Sequence, residues 1–556
     1  MINYFIIFFS SLLITIAVTP YLINYLVKSN IVDKPGEERR INTVSIPRGG
    51  GIIIFFVTII AIVGFYNDIG FIRFFIPSAL MIAAIGLADD ILKVKWYTKL
   101  LTQLLVSFIL LFFIFRHFDY VTLLGINFPP LAGSIIIISF VIGVINAFNL
   151  MDGLDGLSSG LALLVVTVIF LIGLDIENRL LLIITSALIG SLLGFLKFNA
   201  YPARVFLGDT GALSLGLFIV VLTILTGYVP NSKAIDLTFP VIILGVPIVD
   251  TLKVMILRIY EKRNPFVADS SHIHHIIYYN NFSHKITVFV LMGFSALYSV
   301  IAIYYLYYSH FVAICLFVVL TAVLIFINPI LKMVARFRAI KNLFPKFRYM
   351  QGKLILFYRL ILMPLAFFLI LILLFLLFPG SNGVSHNYLL LLLLMVVVSQ
   401  VISVIENMYN KSYGELFVLI NLLIFASIIG DSSPLIYKFN FDQSTLAHIT
   451  NIFFYLLALS FVLFILLKDN LVGKKISFIS GVDLIVFVSI ILFIISKSFI
   501  GYSKTEFVDP SLLVGFVIFM WYKIFVLFNE KYKIAVFHIS FIVLDLALVS
   551  MYLNLG

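Results

Sequence analysis

Leu131-Ala-Gly-Ser-Ile-Ile-Ile-Ile-Ser-Phe-Val-Ile-Gly-Val-Ile-Asn-Ala-Phe148 runs uncharged into Asn149-Leu150-Met151-Asp152-Gly153-Leu154-Asp155-Gly156, and apolar sequence resumes from Ser159 to Leu174. An apolar run of roughly 17 to 25 residues can cross a bilayer as one helix. The run is continuous, without the alternation of a membrane barrel strand. The stretch therefore predicts helix, short polar turn, helix, with the turn where the chain leaves the hydrocarbon. Carboxylates are costly so close to lipid, and two in one turn call for a chemical reason.

The pattern recurs on both sides. Upstream of residue 336, apolar runs lie near 2–27, 49–65, 74–88, 100–115, 131–148, 159–174, 180–196, 210–228, 235–257, 286–309 and 311–335. A second set lies near 354–378, 388–404, 414–430, 448–467, 476–496, 511–528 and 535–553. The expected fold class is all-α, a polytopic integral membrane bundle of about 18 transmembrane helices. With 62% hydrophobic and 11% charged residues and a mean hydropathy of +1.17, a string of soluble domains is excluded. The first run lacks a basic start and a small-residue cleavage site, so it reads as a retained helix. The lone Cys315 excludes internal disulfides and sits in an apolar run, a poor setting for a thiol nucleophile.

Charge sets the expected orientation. If the loops after odd-numbered helices face the cytoplasm, about 26 of the 37 Lys and Arg fall there and about 7 on the other face. The net charge of +11 then concentrates on one side, suited to anionic headgroups and phosphorylated substrates. Nucleic acid is a poor partner, because the basic residues are scattered through short loops. The chain divides near residue 336: residues 1–335 carry the unusual loops, and 336–556 form a helical extension behind the basic stretch Arg336 to Lys353.

Four loops on the cytoplasmic side carry the chemistry. Asp89 and Asp90 end an apolar run, with Lys93 at helical spacing beside them. The pair suits proton acceptance or metal binding, and the ammonium suits a phosphate; the plain alternative is an interfacial ion pair. Asn149, Asp152 and Asp155 recur every third residue and offer the oxygen ligands that Mg2+ prefers, with Gly153 and Gly156 leaving room for a ligand. The alternative is a helix-breaking loop in which Asp155 or Ser158 caps the next helix. Asp209 precedes a helix among glycines, a setting for an anion or a metal phosphate, or simply an N-cap. Asn199, Arg204 and Phe206 just before it offer an amide, a guanidinium and a stacking ring for a nucleotide. The last loop, from Arg258 through Arg263 to His272, His274 and His275, lacks the other spaced ligands of a zinc cluster. It suits a pyrophosphate or its leaving group, and Asp250 is placed to orient it. No Walker-type glycine loop or nucleophile-elbow serine is present. The chain reads as a membrane enzyme acting on phosphorylated substrates.

The ordered motifs Ile46-Pro47-Arg48-Gly49-Gly50, Asp89-Asp90-x-x-Lys93, Asn149-x-x-Asp152-Gly-x-Asp155-Gly, Phe206-x-Gly208-Asp209-Thr210-Gly211 and His272-x-His274-His275 resemble the polyprenyl-phosphate N-acetylhexosamine-1-phosphate transferases. That family lies in the superfamily of phospho-N-acetylmuramoyl-pentapeptide translocase. The resemblance covers about residues 1–325, and the Arg258–His275 loop looks like the branch that initiates O antigen, common antigen or teichoic acid linkage units. Asn42 stands where that branch often has a histidine.

The resemblance implies transfer of a HexNAc-1-phosphate, foremost GlcNAc-1-phosphate, from a UDP-sugar to undecaprenyl or another polyprenyl phosphate, with UMP released. It implies a plasma-membrane enzyme with a cytoplasmic site, dependent on Mg2+ with Mn2+ as a substitute. The expected partners are the UDP-sugar, the polyprenyl phosphate, the bilayer and a second copy of the chain as a homodimer. Asp209 would bind the metal with Asp152 or Asp155. Asp89 would accept a proton from the lipid phosphate or orient it, Asp90 would assist, and Lys93 would hold a phosphate oxygen. His272, His274 and His275 would act at the diphosphate, and Arg48, Asn149, Asn199, Arg204, Phe206, Arg258 and Arg263 would bind substrate. Positioning and charge neutralisation dominate such chemistry. The competing class is a secondary transporter with proton- or sodium-relaying carboxylates, which expects ionisable groups at mid-membrane in two related halves.

Overall fold

A computed structural model describes residues 2–33, 45–114, 118–229, 233–263, 272–280 and 282–332. The expected helices beyond residue 336, the basic stretch Arg336–Lys353 and Asn42 lie outside the described residues. In chain order the elements are α1 (Ile2–Lys28), β1 (Val32–Asp33), β2 (Ile46–Pro47), α2 (Ile52–Phe65), α3 (Ile69–Leu92), α4 (Trp96–Ile109), β3 (Tyr120–Leu123) and β4 (Ile126–Phe128). There follow α5 (Pro130–Met151), α6 (Leu157–Asp175), α7 (Arg179–Asn199), α8 (Gly208–Gly227), β5 (Tyr228–Val229), β6 (Ala234–Asp236), α9 (Thr238–Ile243), α10 (Gly245–Tyr260), α11 (Ile273–Tyr279), α12 (His284–Tyr307) and α13 (His310–Ile325). A π-helical turn, Leu110–Ile114, continues α4.

Each apolar run expected upstream of residue 336 carries helix over most of its described residues; the run near 235–257 opens in β6 and is split at Leu244 into α9 and α10. The short run near 74–88 extends to 24 residues, because polar Asp89 and Asp90 remain helical at its end. Among the described residues, 7 helices are long and apolar enough to cross a membrane. This is a mostly helical membrane protein.

The connections segregate to two ends. At one end β3 and β4, between α4 and α5, join β5 and β6, between α8 and α9, in a four-stranded sheet of order β4-β3-β6-β5. At the other end the links α1–α2, α3–α4, α5–α6 and α7–α8 converge, tied by hydrogen bonds such as Phe206 N–H to the Pro47 carbonyl. Helices α6, α7 and α8 are buried along most of their length and form the centre. Exposed apolar residues such as Ile60, Leu101, Phe311 and Val319 lie on the outside, as lipid-facing side chains do.

Within lipid, helices associate through close packing and hydrogen bonds more than through exclusion of water. The α1–α7 contact follows that rule. Gly190 and Gly194 lie four residues apart on α7, and a Cβ on Gly194 would stand 3.0 Å from the Leu12 carbonyl oxygen. Local caps finish several helices: Asn178 accepts from the Leu180 and Leu181 amides before α7, and Ser283 accepts from Ile286 before α12. Each is worth about 1 kcal/mol.

Candidate active site

Helix α8 begins without a local cap, since Leu207 at its N-cap has no side chain to accept a hydrogen bond. Its first N–H groups still need partners. Asp90, in the last turn of α3, supplies them. Its oxygens accept from the amides of Asp209 and Thr210, both at 2.9 Å, from Thr210 Oγ1 at 2.6 Å and from Arg48 Nε at 2.7 Å. Its side chain has no exposed surface. The carboxylate sits at the positive end of the helix dipole, so its charge is doubly compensated. The approach needs glycine: a Cβ on Gly86 would lie 2.6 Å from Thr210 Cα, and Gly208 takes φ +73° against Gly49. The N-cap alternative for Asp209 is thereby replaced, because Asp90 does the capping from a neighbouring helix.

That cap frees the Asp209 side chain. Arg48 Nη2 donates to Asp209 Oδ1 at 2.5 Å, Lys99 Nζ to Oδ2 at 2.9 Å, and Asn149 Nδ2 reaches Oδ2 at 3.5 Å. Lys99 also meets Asp89 at 3.2 Å, and Arg48 lies 3.8 Å from it. Although burial works against its charge, the carboxylates of Asp209 and Asp90 raise the pKa of Arg48 further above its ordinary value. Asp152, the residue after α5, accepts the Gly208 amide. Burial and the charges of Asp209 and Asp90 hold its carboxyl well above the usual range.

Asp89, Asp90, Asp152 and Asp209 set four carboxyl groups against the two cations Arg48 and Lys99, two more acids than bases. Among the described residues no three carboxylates or imidazoles converge into a closed metal cage. The donor set fits another arrangement. Mg2+ is commonly held by one or two carboxylates together with substrate phosphates, and the raised proton affinity of Asp152 marks charge that a cation would offset. Asp209, Asp152 and the Asn149 amide could supply its protein oxygens.

Beside the cluster opens a cavity of about 1300 Å³. Arg48, Asn149, Asp152, Asp155, Asn199, Arg204, Phe206, Asp209 and His275 all line it, drawn from four separate loops. Asn149, Asp152 and Asp155 recur every third residue but do not share a helical face. α5 ends at Met151, and the chain turns through Asp155 to Gly156, which takes φ +74°. Neither Asp155 nor Ser158 caps α6: the Asp155 carboxylate accepts the Ala203 amide at 3.0 Å, and Ser158 Oγ donates to the Phe148 carbonyl. Burial raises the Asp155 carboxyl, tempered by the Ala203 bond.

The family model described as glycosyl transferase family 4 matches residues 71–227. A probable undecaprenyl-phosphate N-acetylglucosaminyl 1-phosphate transferase of Bacillus subtilis is 32% identical over 316 residues, covering 54% of this chain and 85% of the relative. An undecaprenyl-phosphate alpha-N-acetylglucosaminyl 1-phosphate transferase of Thermotoga maritima is 30% identical, over 58% of this chain and 96% of the relative. A phospho-N-acetylmuramoyl-pentapeptide-transferase of Borreliella burgdorferi is 32% identical, over 47% of this chain and 83% of the relative. The chain belongs to the polyprenyl-phosphate N-acetylhexosamine-1-phosphate transferase family. It is a sugar-1-phosphate transferase.

In this transferase several expected residues take places that the sequence did not indicate. Lys93 is exposed at the left-handed C-cap of α3, φ 54°, and the ammonium at the carboxylates is Lys99 of α4. Arg263 is exposed and pairs with Glu261 at 3.3 Å, while Arg258 is buried in the last turn of α10. Asn199 is held by Ser159 Oγ at 3.0 Å and donates to the Val205 carbonyl, fixing the loop that carries Phe206. Asp250 does orient the histidine loop: it accepts the Ile273 amide at 2.6 Å and holds His272 Nδ1 at 2.8 Å. His274 is buried against Gly153, where a Cβ would stand 2.6 Å from its Nε2. Burial pushes its pKa down to about 3, so the ring is neutral. Of the three histidines, His275 lines the cavity. Sequence reasoning missed Lys99 and His284. A lone Lys at the start of an apolar run reads as a topology signal, and a lone His at a helix start reads as a cap.

Proposed function

We propose that this transferase moves a HexNAc-1-phosphate, most suitably GlcNAc-1-phosphate, from a UDP-sugar to undecaprenyl phosphate, releasing UMP and forming the first lipid-linked intermediate of a cell-envelope polysaccharide such as O antigen or teichoic acid. The carrying observation is the excess of carboxylate over cation around Asp209, at the wall of a cavity large enough for a sugar nucleotide. The names of the Bacillus and Thermotoga relatives support the acceptor and the sugar. The excess of Lys and Arg in the loops at this end supports a cytoplasmic site.

In this reading Asp209, Asp152 and Asn149 would hold Mg2+, which would supply charge neutralisation at the diphosphate. Arg48 and Lys99 hold Asp89 and Asp209 together by offsetting their repulsion, and their cationic heads take up phosphate oxygens as substrates enter. Asp89, paired with Lys99, is placed to receive the proton of the lipid phosphate or to orient it. Phe206 and Arg204, on the cavity wall, offer a ring and a guanidinium to the nucleotide. Asp90 remains buried and capping, so its part is to position Asp209.

The test incubates the purified protein with undecaprenyl phosphate, Mg2+ and a panel of UDP-sugars, and identifies the lipid product by mass spectrometry. UDP-GlcNAc should give lipid-diphosphate-GlcNAc and UMP, and Asp209→Asn should abolish the product while the protein remains folded. A wild-type protein that forms no lipid-linked sugar from any donor overturns the reading.

A further inference from the structure

His284, the first residue of α12, belongs to none of the motifs above, yet it ties three cavity-lining segments together. Its Nε2 accepts the backbone N–H of Asp155 at 3.1 Å. A neutral imidazole has one acceptor and one donor, so its proton then resides on Nδ1. Its ring stacks on Tyr201, centroids 4.5 Å apart and planes inclined by 25°. The Asp155 carboxylate in turn accepts the Ala203 amide, two residues beyond Tyr201. His284, Asp155, Ala203 and Tyr201 thus close a ring of contacts joining the turn after α5, the loop before α8 and the start of α12. His284 is 8% exposed and still contributes to the cavity wall.

We infer that His284 is a positioning residue for donor binding: it fixes the wall of the cavity that receives the UDP-sugar, and it does so through Asp155 and Tyr201. The inference rests on the proposed donor. The Asp155 amide lies in a partly buried turn that precedes Gly156; without His284 it retains its own carboxylate, which the Ala203 amide already engages, and the turn loses its tie to α12. Loss of one hydrogen bond that holds the wall in its binding form corresponds to about tenfold in donor affinity. The reacting carboxylates are tied through Arg48 and Lys99 and not through His284, so turnover of the bound complex should be spared.

The experiment uses the full chain in detergent and measures UDP-GlcNAc affinity by calorimetry together with KM and kcat. His284→Phe keeps a stacking ring and removes the acceptor, and His284→Gln places an amide oxygen near the position of Nε2. The expected result is an affinity loss and a KM rise of about tenfold in His284→Phe, with kcat within about threefold, and substantial recovery of both in His284→Gln. Tyr201→Leu changes an exposed side chain and serves if His284→Phe does not fold; it should raise KM in the same direction with kcat preserved. Unchanged affinity in both His284→Phe and Tyr201→Leu overturns the inference, as does a loss confined to kcat. Failure of the wild-type protein to bind UDP-GlcNAc refutes the proposed donor and with it this inference, whereas normal wild-type binding with unaffected variants refutes this inference alone.

Discussion

Two cations organise the reacting end of this transferase. Arg48 and Lys99 each bridge Asp89 and Asp209, and these two carboxylates would not stay close and charged without them. Lys99→Ala should therefore lower kcat by about 100-fold, the scale on which removal of one fixed electrostatic partner acts, while the protein still inserts and elutes as a single species; near-normal turnover would show that Arg48 suffices. His274 gives a prediction of another kind. With a folded pKa of about 3, it stays neutral while the unfolded chain takes up a proton near pH 6.5. Its contribution to stability is whole above pH 6.5 and is lost as pH falls toward 3. Between pH 6.5 and 5.5 the loss comes to about 1 kcal/mol. Thermal melts of wild type should fall over that interval, and those of His274→Asn should fall less.

At the level of elements, α4 and α5 are locked by a reciprocal amide pair. Asn146 Nδ2 donates to Gln103 Oε1 at 2.6 Å, and Gln103 Nε2 donates to Asn146 Oδ1 at 3.3 Å. Gln103 lies one turn beyond Lys99, and Asn146 one turn before Asn149, so the pair sets the spacing of two groups that both reach Asp209. Amides between membrane helices hold them with about 0.6–2 kcal/mol each. Gln103→Ala and Asn146→Ala should each reduce turnover, and the double variant should lose little more than either single one. Full additivity in that cycle would mean the two amides act separately. The swap Gln103→Asn with Asn146→Gln keeps the pair's total length and should recover part of the activity.

At the scale of the molecule, every described residue at the carboxylate cluster or the cavity wall falls between Asp33 and His284. The four converging links all belong to helices α1 to α8, with α11 and α12 closing the far wall. The loops of residues 336–556 carry no comparable cluster in sequence; Glu406 has Lys411 nearby, and Asp469 has Lys468. A chain ending near residue 335 that inserts and folds should therefore retain sugar-phosphate transfer. An inactive folded truncation that regains activity when residues 336–556 are supplied separately would place part of the site in the extension.

By itself the sequence determined a mostly helical membrane protein, its long apolar helices among the described residues and the loops that meet at the candidate site; the sheet of β3 to β6 it did not indicate. Hydrocarbon demands long apolar helices and tolerates carboxylates only where they are used, so both signals are written plainly along the chain. Asp209, Asp152 and Arg48 were legible because they stand among glycines in motifs. Only the tertiary structure decided what each polar group does there. Asp90 and Asp89 are adjacent in sequence, yet one is sealed as a cap for α8 while the other meets Lys99. The i,i+3 rule that pointed to Lys93 failed because the helix ends at Leu92 and the next residue turns left-handed. Asp155 faces the loop before α8 because the glycine turn breaks the helical period at Asp152. Lys99, Gln103 and His284 carried no motif, since their partners lie 10 to 129 residues away. Spacing along a chain reports neighbours within one turn of helix, and a site assembled from the ends of many helices is held together by contacts that spacing does not record.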